Sequence, residues 1–192
     1  MIHKTVEISD KASIGLGVKI WHYSQIREDA KIGNNCILGK NVYIDRGVII
    51  GDNCKIQNNS SIYHGSKLSD GVFIGPNVCI TNDKNPRAIN PDEKLKMDED
   101  WGSGKIVIGK GASIGAGSIV LTDVQIGKFA MIGAGSVVTK DVLDHTLVYG
   151  NPAKLKGYVC KCGFKAKELG KSDIRISLEC TKCKQKIDVD IQ

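Results

Sequence analysis

Residues 30–50 read AKIGNNCILGKNVYIDRGVII, and this stretch shows a six-residue repeat that runs through most of the chain. From Ile8 to Ile80 every sixth residue is Ile or Leu, and the residue two positions before it is small or Val. Residues two apart on a β-strand point to the same side, so each unit predicts a short strand with one bulky and one small inward residue, then a turn. A hexapeptide period is typical of a parallel β-helix, and the apolar spacing of an amphipathic α-helix is absent.

Glycine and cysteine occupy regular places in this repeat. Cys36 and Cys54 fill the small inward position eighteen residues apart, so they stack as small core residues if three units make one coil. Cys79 falls on an outward position. Glycine tolerates turn geometry at low cost, which predicts that the glycines after the bulky residues serve the turns. These glycines are Gly15, Gly33, Gly39, Gly51 and Gly75.

The repeat is interrupted once, between residues 81 and 105, by a charged segment with two prolines. Ile80 and Ile108 are 28 residues apart, which is not a multiple of six, so the segment is an excursion from the coil. Long ordered loops in compact domains are usually functional, although a solvated insertion is the alternative. The repeat resumes after the loop and ends before Asp144, and Pro152 suits the first turn of a short helix.

The charge is unevenly distributed along the 192 residues. The chain carries 27 Lys and Arg against 21 Asp and Glu, a net charge of +6, and ten of the basic and five of the acidic groups follow residue 152. The repeat region is therefore nearly neutral, and the modest charge of the tail predicts no nucleic-acid partner. No apolar run reaches the length of a membrane span, and the first residues lack a signal-peptide core. These features predict a soluble cytoplasmic protein with no membrane partner.

Four of the seven cysteines lie in the tail, as C-x-C and C-x-x-C pairs separated by seventeen residues. They are Cys160, Cys162, Cys180 and Cys183. Paired thiolates at such spacings can close a tetrahedral site for structural Zn²⁺, as in zinc ribbons. The C-x-C half departs from the usual C-x-x-C knuckle, so redox thiols or free cysteines are the alternatives. The sequence thus predicts a β-helix at 1–158, with the loop at 81–105, and a zinc-ribbon-like tail at 159–192.

The repeat, AGSVVTKDV (134–142) and GNPAK (150–154) resemble the hexapeptide-repeat acyltransferases. That resemblance covers about residues 1–158. It implies a mainly β protein, a left-handed parallel β-helix, which uses acetyl-CoA and assembles as a homotrimer with active sites between subunits. Some members of the family also end in a cysteine-rich ribbon.

Three further segments narrow the resemblance: IWHYSQI (20–26), KIQNNSSIY (55–63) and GPNVCITNDKNPRAINP (75–91). They are similar to N-acetyltransferases that act on the 3-amino group of nucleotide-linked amino sugars for surface polysaccharides. Ile80 stands where that group usually has Phe before Thr-Asn, and it keeps the inward apolar position. The resemblance implies a UDP- or dTDP-linked amino sugar as substrate and acetyl-CoA as the acetyl donor.

The resemblance also implies roles for individual residues. Asn82 would orient the substrate amine, while Asp83 and His22 are candidate catalytic groups and the general base stays open. Arg87 suits bidentate contact with a pyrophosphate. The sugar and nucleotide would contact Asn58, Asn59 and Tyr63, for which an outward Asn ladder and an exposed Tyr are the structural alternative. Acetyl-CoA would lie beside Gly115, Ala116, Ala134, Gly135, Lys140 and Lys154, for which turn glycines and solvated lysines are the alternative.

Three other functions compete with this prediction. A different acceptor, a 4-amino sugar or a sugar hydroxyl, would keep the enzyme class. A γ-class carbonic anhydrase shares the fold but needs three His on one zinc, and the spacing of His22 and His64 assigns them to different faces. A non-catalytic scaffold would use the fold alone and would not need the loop.

Overall fold

The computed structural model describes residues 1–190, and these residues form a chain of short β-strands. The strands are β1 Glu7–Ile8, β2 Ser13–Ile14, β3 Lys19–Ile20, β4 Gln25–Ile26, β5 Lys31–Ile32, β6 Ile37–Leu38, β7 Tyr43–Ile44, β8 Ile49–Ile50, β9 Lys55–Ile56, β10 Ser61–Ile62, β11 Ser66–Leu68, β12 Phe73–Ile74, β13 Cys79–Ile80, β14 Ile106–Ile108, β15 Ser113–Ile114, β16 Ile119–Val120, β17 Gln125–Ile126, β18 Met131–Ile132, β19 Val137–Val138, β20 Thr146–Tyr149, β21 Lys154–Val159, β22 Lys165–Lys171, β23 Arg175–Cys180 and β24 Lys186–Asp190. A single 3₁₀ turn, Asp98–Asp100, is the helical element among the described residues.

Strands β1 to β20 wind into a three-sided parallel β-helix. Face 1 holds β1, β4, β7, β10, β13, β16 and β19; face 2 holds β2, β5, β8, β11, β14 and β17; face 3 holds β3, β6, β9, β12, β15, β18 and β20. Outside the loop the register advances by eighteen residues up to β19, as in Glu7 opposite Gln25 and Lys19 opposite Ile37, and by sixteen residues in the last coil, where Met131 pairs with Leu147. Three six-residue units therefore make one coil, which confirms the parallel β-helix predicted from the repeat.

The core is a stack of the inward Ile, Leu and Val residues, most of them with under 3% of their surface exposed. Cys36 and Cys54 lie within this stack as predicted, and both are fully buried. Ser24 and Ser60 fill inward positions where a hydroxyl needs a partner, and each donates to a backbone carbonyl oxygen, at 2.8 and 2.7 Å. Small inward residues at the corners thus let neighbouring strands meet without leaving these hydroxyls unpaired.

The glycines after the bulky residues serve close packing between coils, which corrects the prediction from turn geometry. Gly33 does not have a positive φ, but a Cβ built on it would lie 2.6 Å from the carbonyl carbon of Gly51 in the next coil. The left-handed turn positions come two residues later, and several are filled by asparagine, such as Asn35, Asn41 and Asn59. Asparagine adopts this conformation more easily than other non-glycine residues.

The loop between β13 and β14 leaves and re-enters the coil at one point. The backbone N–H of Gly104 donates to the carbonyl oxygen of Asn82 at 2.9 Å, which brings the two ends of the loop together. Beyond the loop, Ser66 pairs with Ile106 and the regular register continues. Two ion pairs attach the loop to the coils, Arg46–Asp98 at 3.2 Å and Lys84–Asp123 at 3.7 Å.

The C-terminal segment continues face 3 as an antiparallel sheet. Strand β20 pairs in parallel with β18, and β21 then turns back to pair with β20. Strands β22, β23 and β24 extend the same sheet around a separate small core. The prediction of a short helix at Pro152 is wrong. The segment forms a turn, with a cis Asn151–Pro152 peptide bond, and leads directly into β21.

No element of the described residues is a helix long and apolar enough to cross a membrane.

Candidate functional site

The corner between faces 1 and 2 stacks the polar residues of successive coils above one another. Extending the strand registers places one residue of each coil at the same point of this corner. We call this set the corner column: Glu28, Arg46, His64, Asn82, Thr122 and Lys140. Neighbouring strands lie about 4.8 Å apart, so the register makes His64 the neighbour of Asn82 in the preceding coil. Gly104, at the other end of the loop, packs against Thr122, and Lys140 lies two coils from Asn82. The column therefore places Asn82 and Lys140 on the same corner, two coils apart, and adds a histidine that was not predicted from the sequence.

His64 is held in one tautomer by its surroundings. Its Nδ1 lies 2.8 Å from the backbone carbonyl oxygen of Arg46, which can only accept a hydrogen bond. Nδ1 therefore carries the hydrogen, and in the neutral ring Nε2 keeps its lone pair. A neutral imidazole with a free Nε2 beside Asn82 is a chemically suitable proton acceptor.

The loop forms two open clefts next to the corner column. The larger, of about 380 Å³, is lined by Asn82, Asp83 and Arg87 together with Trp101. The smaller, of about 180 Å³, contains Asp83, Thr122 and Lys140. Four of the predicted site residues, Asn82, Asp83, Arg87 and Lys140, thus meet at one corner of the β-helix. The Asp83 carboxylate accepts the backbone N–H of Asn85 at 2.9 Å, and the guanidinium of Arg87 is exposed.

The other predicted cofactor residues gather at the corner between faces 3 and 1. Gly115 and Ala116 lie one coil below Ala134 and Gly135, as the pairing of Ile114 with Ile132 requires. Lys154 joins them, because the preceding Ala153 donates its N–H to Val137 at 2.8 Å. In one chain this group lies across face 1 from Lys140. The predicted cofactor residues therefore form two groups at two corners.

The remaining predicted residues are also divided between these corners. Asn58 and Asn59 lie at the corner of faces 3 and 1, where their amide oxygens accept hydrogen bonds from Lys40 N at 2.8 Å and Asn41 Nδ2 at 3.1 Å. These bonds match the Asn ladder of the structural alternative. Tyr63 lies next to His64 at the other corner, on the far side of β10, with its ring 5.6 Å from that of Tyr43.

His22 lies far from Asn82 in the same chain. It stands at the corner of faces 3 and 1, three coils before the coil of Asn82, and its ring stacks on His3 with 3.5 Å between centroids. The structure therefore does not bring His22 together with Asn82 and Asp83, and the register places His64 beside Asn82 instead. The eighteen-residue spacing between His64 and Asn82 was the sequence signal that could have found it.

The four tail cysteines form one compact cluster. Their sulfur atoms all lie within 4.8 Å of one another, with separations of 3.5 Å for Cys162–Cys180 and 3.6 Å for Cys160–Cys183. Four thiolates around a zinc ion at about 2.3 Å stand about 3.8 Å apart, so the arrangement fits a tetrahedral site. Burial raises the pKa of Cys180, but the N–H groups of Cys183 and Lys182 outweigh it and lower the pKa to about 6. Among the described residues this is the group of metal-ligating side chains close enough to share an ion.

Two family profiles match this architecture. The profile described as "Bacterial transferase hexapeptide (six repeats)" matches residues 2–46 and 105–140, and the one described as "Hexapeptide repeat of succinyl-transferase" matches residues 30–64. Together they cover just over half of the chain. The chain belongs to the hexapeptide-repeat transferases. Both profiles leave out the loop and the ribbon.

Among characterised relatives, this hexapeptide-repeat transferase is 41% identical over 64 residues to a dTDP-3-amino-3,6-dideoxy-alpha-D-galactopyranose 3-N-acetyltransferase of Aneurinibacillus thermoaerophilus. That match covers 33% of each chain.

Two solved structures illustrate the shared fold. A mutant GDP-perosamine N-acetyltransferase of Caulobacter crescentus, in complex with CoA and GDP-perosamine, matches with a TM-score of 0.51 and 22% identity, over 81% of this chain and 55% of that one. A maltose O-acetyltransferase of Clostridium difficile matches with a TM-score of 0.51 and 27% identity, over 64% of this chain and 69% of that one. The chain thus spans about half the length of the first of these proteins.

Proposed function

We propose that this chain is an acetyl-CoA-dependent N-acetyltransferase that acts on the 3-amino group of a UDP- or dTDP-linked amino sugar, in the synthesis of a surface polysaccharide. The observation that carries the proposal is the corner column, where Asn82 lies beside His64 and next to the cleft of Arg87. The similarity to a dTDP-3-amino-sugar 3-N-acetyltransferase supports the same acceptor.

In this mechanism the substrate amine attacks the carbonyl carbon of the acetyl thioester. The side-chain oxygen of Asn82 accepts a hydrogen bond from the amine and aims its lone pair at that carbon. His64 Nε2 takes the proton that the amine loses as the C–N bond forms. The C–S bond then breaks, and the thiolate of CoA leaves and receives that proton. Arg87 holds the pyrophosphate of the sugar nucleotide in the larger cleft.

The division of the predicted residues between two corners supports a homotrimer with shared sites. In a three-fold assembly, the corner with Gly115, Ala116, Ala134, Gly135 and Lys154 faces the corner column of a neighbouring subunit. Acetyl-CoA then lies between them, with Lys140 and Lys154 near its phosphates. In this arrangement Asn58 and Asn59 of one chain also lie close to Tyr63 of a second chain.

Face 1 is the surface we assign to the trimer interface. Its outward residues carry no charge on six successive strands, from β4 to β19, whereas faces 2 and 3 present outward lysines such as Lys31 and Lys55. Charged residues are depleted in the cores of protein interfaces. The uncharged outward residues of face 1 are Gln25, Tyr43, Ser61, Cys79, Ile119 and Val137.

A sugar hydroxyl is the second candidate acceptor, because the maltose O-acetyltransferase shares this fold at 27% identity. A 4-amino sugar would require the same chemistry with a different sugar orientation. A γ-class carbonic anhydrase is disfavoured, since residues 1–190 hold no cluster of three histidines within one chain. The coil also presents His22 and His64 at different corners, as their spacing indicated.

We further propose that the four tail cysteines hold one structural Zn²⁺, which stabilises the ribbon and takes no part in acetyl transfer. The two separate cores support a division into a β-helix at 1–158 and a ribbon at 159–192, of which residues 191 and 192 lie outside the described part. Reduced thiolates of this kind suit a cytoplasmic location. The left-handed sense of the β-helix is part of the same proposal.

The test is incubation with acetyl-CoA and a panel of UDP- and dTDP-linked 3-amino sugars, 4-amino sugars and unmodified sugars, with the products measured by mass spectrometry. We expect acetylation of a 3-amino sugar and a loss of at least about 100-fold in kcat/KM for Asn82→Ala, since Asn82 aims the nucleophile. Asn34→Ala, which removes an exposed amide at the corner between faces 2 and 3, is the matched control. Acetylation confined to 4-amino sugars or to hydroxyls would contradict the assigned acceptor.

A further inference from the structure

Asp45 is a buried carboxylate at the corner between faces 1 and 2, one coil before His64. It is 8% exposed and accepts hydrogen bonds from the hydroxyl of Tyr43 at 3.0 Å and the backbone N–H of Arg46 at 2.8 Å. Its second oxygen accepts the backbone N–H of His64 at 3.1 Å. Arg27 approaches to 3.5 Å and neutralises part of the charge. Burying an ion is costly, so such a carboxylate persists where several donors hold it.

Asp45 forms hydrogen bonds with both residues of the contact that sets the tautomer of His64. One carboxylate oxygen holds the N–H of Arg46, and the other holds the N–H of His64. The carbonyl oxygen of Arg46 then receives Nδ1–H of the His64 ring at 2.8 Å. Asp45 therefore fixes both the backbone that carries the ring and the residue whose carbonyl holds it.

We propose that Asp45 is a positioning residue that holds His64 with Nδ1 protonated and Nε2 free to take the proton of the substrate amine. This inference rests on the proposed acetyl transfer and adds to it the group that prepares the base. Asp45 itself touches neither the sugar nor acetyl-CoA in this scheme. It acts on the rate of the chemical step through the geometry of His64.

An asparagine cannot replace Asp45 in this role. The carboxylate accepts from three neutral donors and from Arg27 through two oxygens, whereas an asparagine has one acceptor oxygen and an NH₂ group that would face a donor. The Asp45→Asn change therefore releases either the His64 N–H or the pair formed by Arg46 N and the Tyr43 hydroxyl. Burial raises the pKa of the Tyr43 hydroxyl, so it stays a donor that needs its acceptor.

The chain offers a matched control at another corner. Asp52 also accepts a backbone N–H from a neighbouring coil, that of Asn34 at 2.6 Å, but it lies at the corner between faces 2 and 3. The amide oxygen of Asn34 accepts the equivalent hydrogen bond from the backbone N–H of Leu16, at 2.8 Å. Asparagine is therefore suited to this position, and Asp52→Asn should leave both stability and rate unchanged.

The first test is a double-mutant cycle on the acetylation rate. We expect His64→Ala to lower kcat by about 100-fold or more. Asp45→Asn should lower kcat by about 10- to 100-fold with KM for acetyl-CoA unchanged. In the His64→Ala background, Asp45→Asn should have no further effect, because Asp45 acts through the missing ring. Additive losses, or a change confined to KM, would overturn the proposal.

The second test does not depend on activity. In full-length protein with ¹⁵N-labelled histidine, the neutral form of the His64 ring, assigned by its absence in His64→Ala, should show Nδ1–H and an unprotonated Nε2. Asp45→Asn should mix the two tautomers, and Asp52→Asn should not. A single unchanged tautomer in Asp45→Asn would contradict the positioning role. If no substrate of the panel is acetylated while the tautomer responds as expected, the proposed function fails and the positioning of His64 stands.

Discussion

Single glycines determine how closely the coils can stack. Gly33 and its equivalents have the backbone of the next coil where a Cβ would otherwise lie, while the left-handed turn positions two residues later accept asparagine as well as glycine. Two neighbouring positions of one turn therefore have different requirements: one excludes any side chain, and the other restricts the backbone. The six-residue period does not predict the distance between coils. It therefore could not show which position excludes a side chain and which one restricts the backbone.

A change of Gly33 to Ala should destabilise the β-helix by about 1–3 kcal/mol, because the added methyl group forces the second and third coils apart. The measurement is the free energy of unfolding in urea. Gly102→Ala is the control, since a Cβ there meets no atom within 4 Å and Gly102 has no positive φ. Equal stability of the two variants would show that the coils adapt without cost.

Residue types and spacings predicted the core, and they selected several residues that the fold gathers at one corner. The inward Ile, Leu and Val residues follow directly from the period, and Asn82, Asp83, Arg87 and Lys140 do meet at one corner. His64 was not predicted as a site residue, because its tautomer depends on a hydrogen bond to a backbone carbonyl. Side-chain type alone cannot reveal such a bond.

The ribbon depends on few apolar residues of its own. Its core consists of six buried residues, and two of these are the cysteines Cys160 and Cys180. A core this small rarely holds a structure without a metal or disulfides. The C-x-C and C-x-x-C pairs predicted the cluster, whereas the strand β21 that joins it to the last coil was expected to be helical. Pairing with β20 overrides that local preference.

We expect one zinc ion per chain in the purified protein, measured by inductively coupled plasma mass spectrometry. Cys183→Ser should lose the metal, and its ribbon should become sensitive to protease while the β-helix stays resistant. Cys79→Ser, on an outward position of face 1, should keep the full zinc content. Metal-free wild-type protein with an intact ribbon would contradict the structural role of zinc.

At the scale of the whole molecule, the proposed trimer would complete the site. One chain presents the corner column and the group of predicted cofactor residues across face 1 from each other, so a single β-helix offers two half-sites. The period predicted the faces, but it contains no information on which face meets a neighbour. The outward lysines lie on faces 2 and 3, and this distribution favours face 1 as the interface.

Ile119→Asp should dissociate the trimer, because a carboxylate would enter an apolar interface without a partner. Val107→Asp is the control on face 2, since the two side chains are similarly exposed, at 39% and 41%. Light scattering after size-exclusion chromatography measures the mass of each variant. A trimer that survives Ile119→Asp but not Val107→Asp would assign the interface to face 2.

The two ends of the loop between β13 and β14 meet, so the loop can change in length or sequence independently of the coils. Because Asn82 and Gly104 are joined by a backbone hydrogen bond, the segment between them is a cassette whose removal or replacement leaves the register of every strand intact. Arg87 and Trp101 both belong to this cassette, whereas Asn82 and His64 belong to the scaffold. In the proposed mechanism, the pyrophosphate contact of Arg87 is thus carried by a part of the chain that can be exchanged without moving Asn82 or His64.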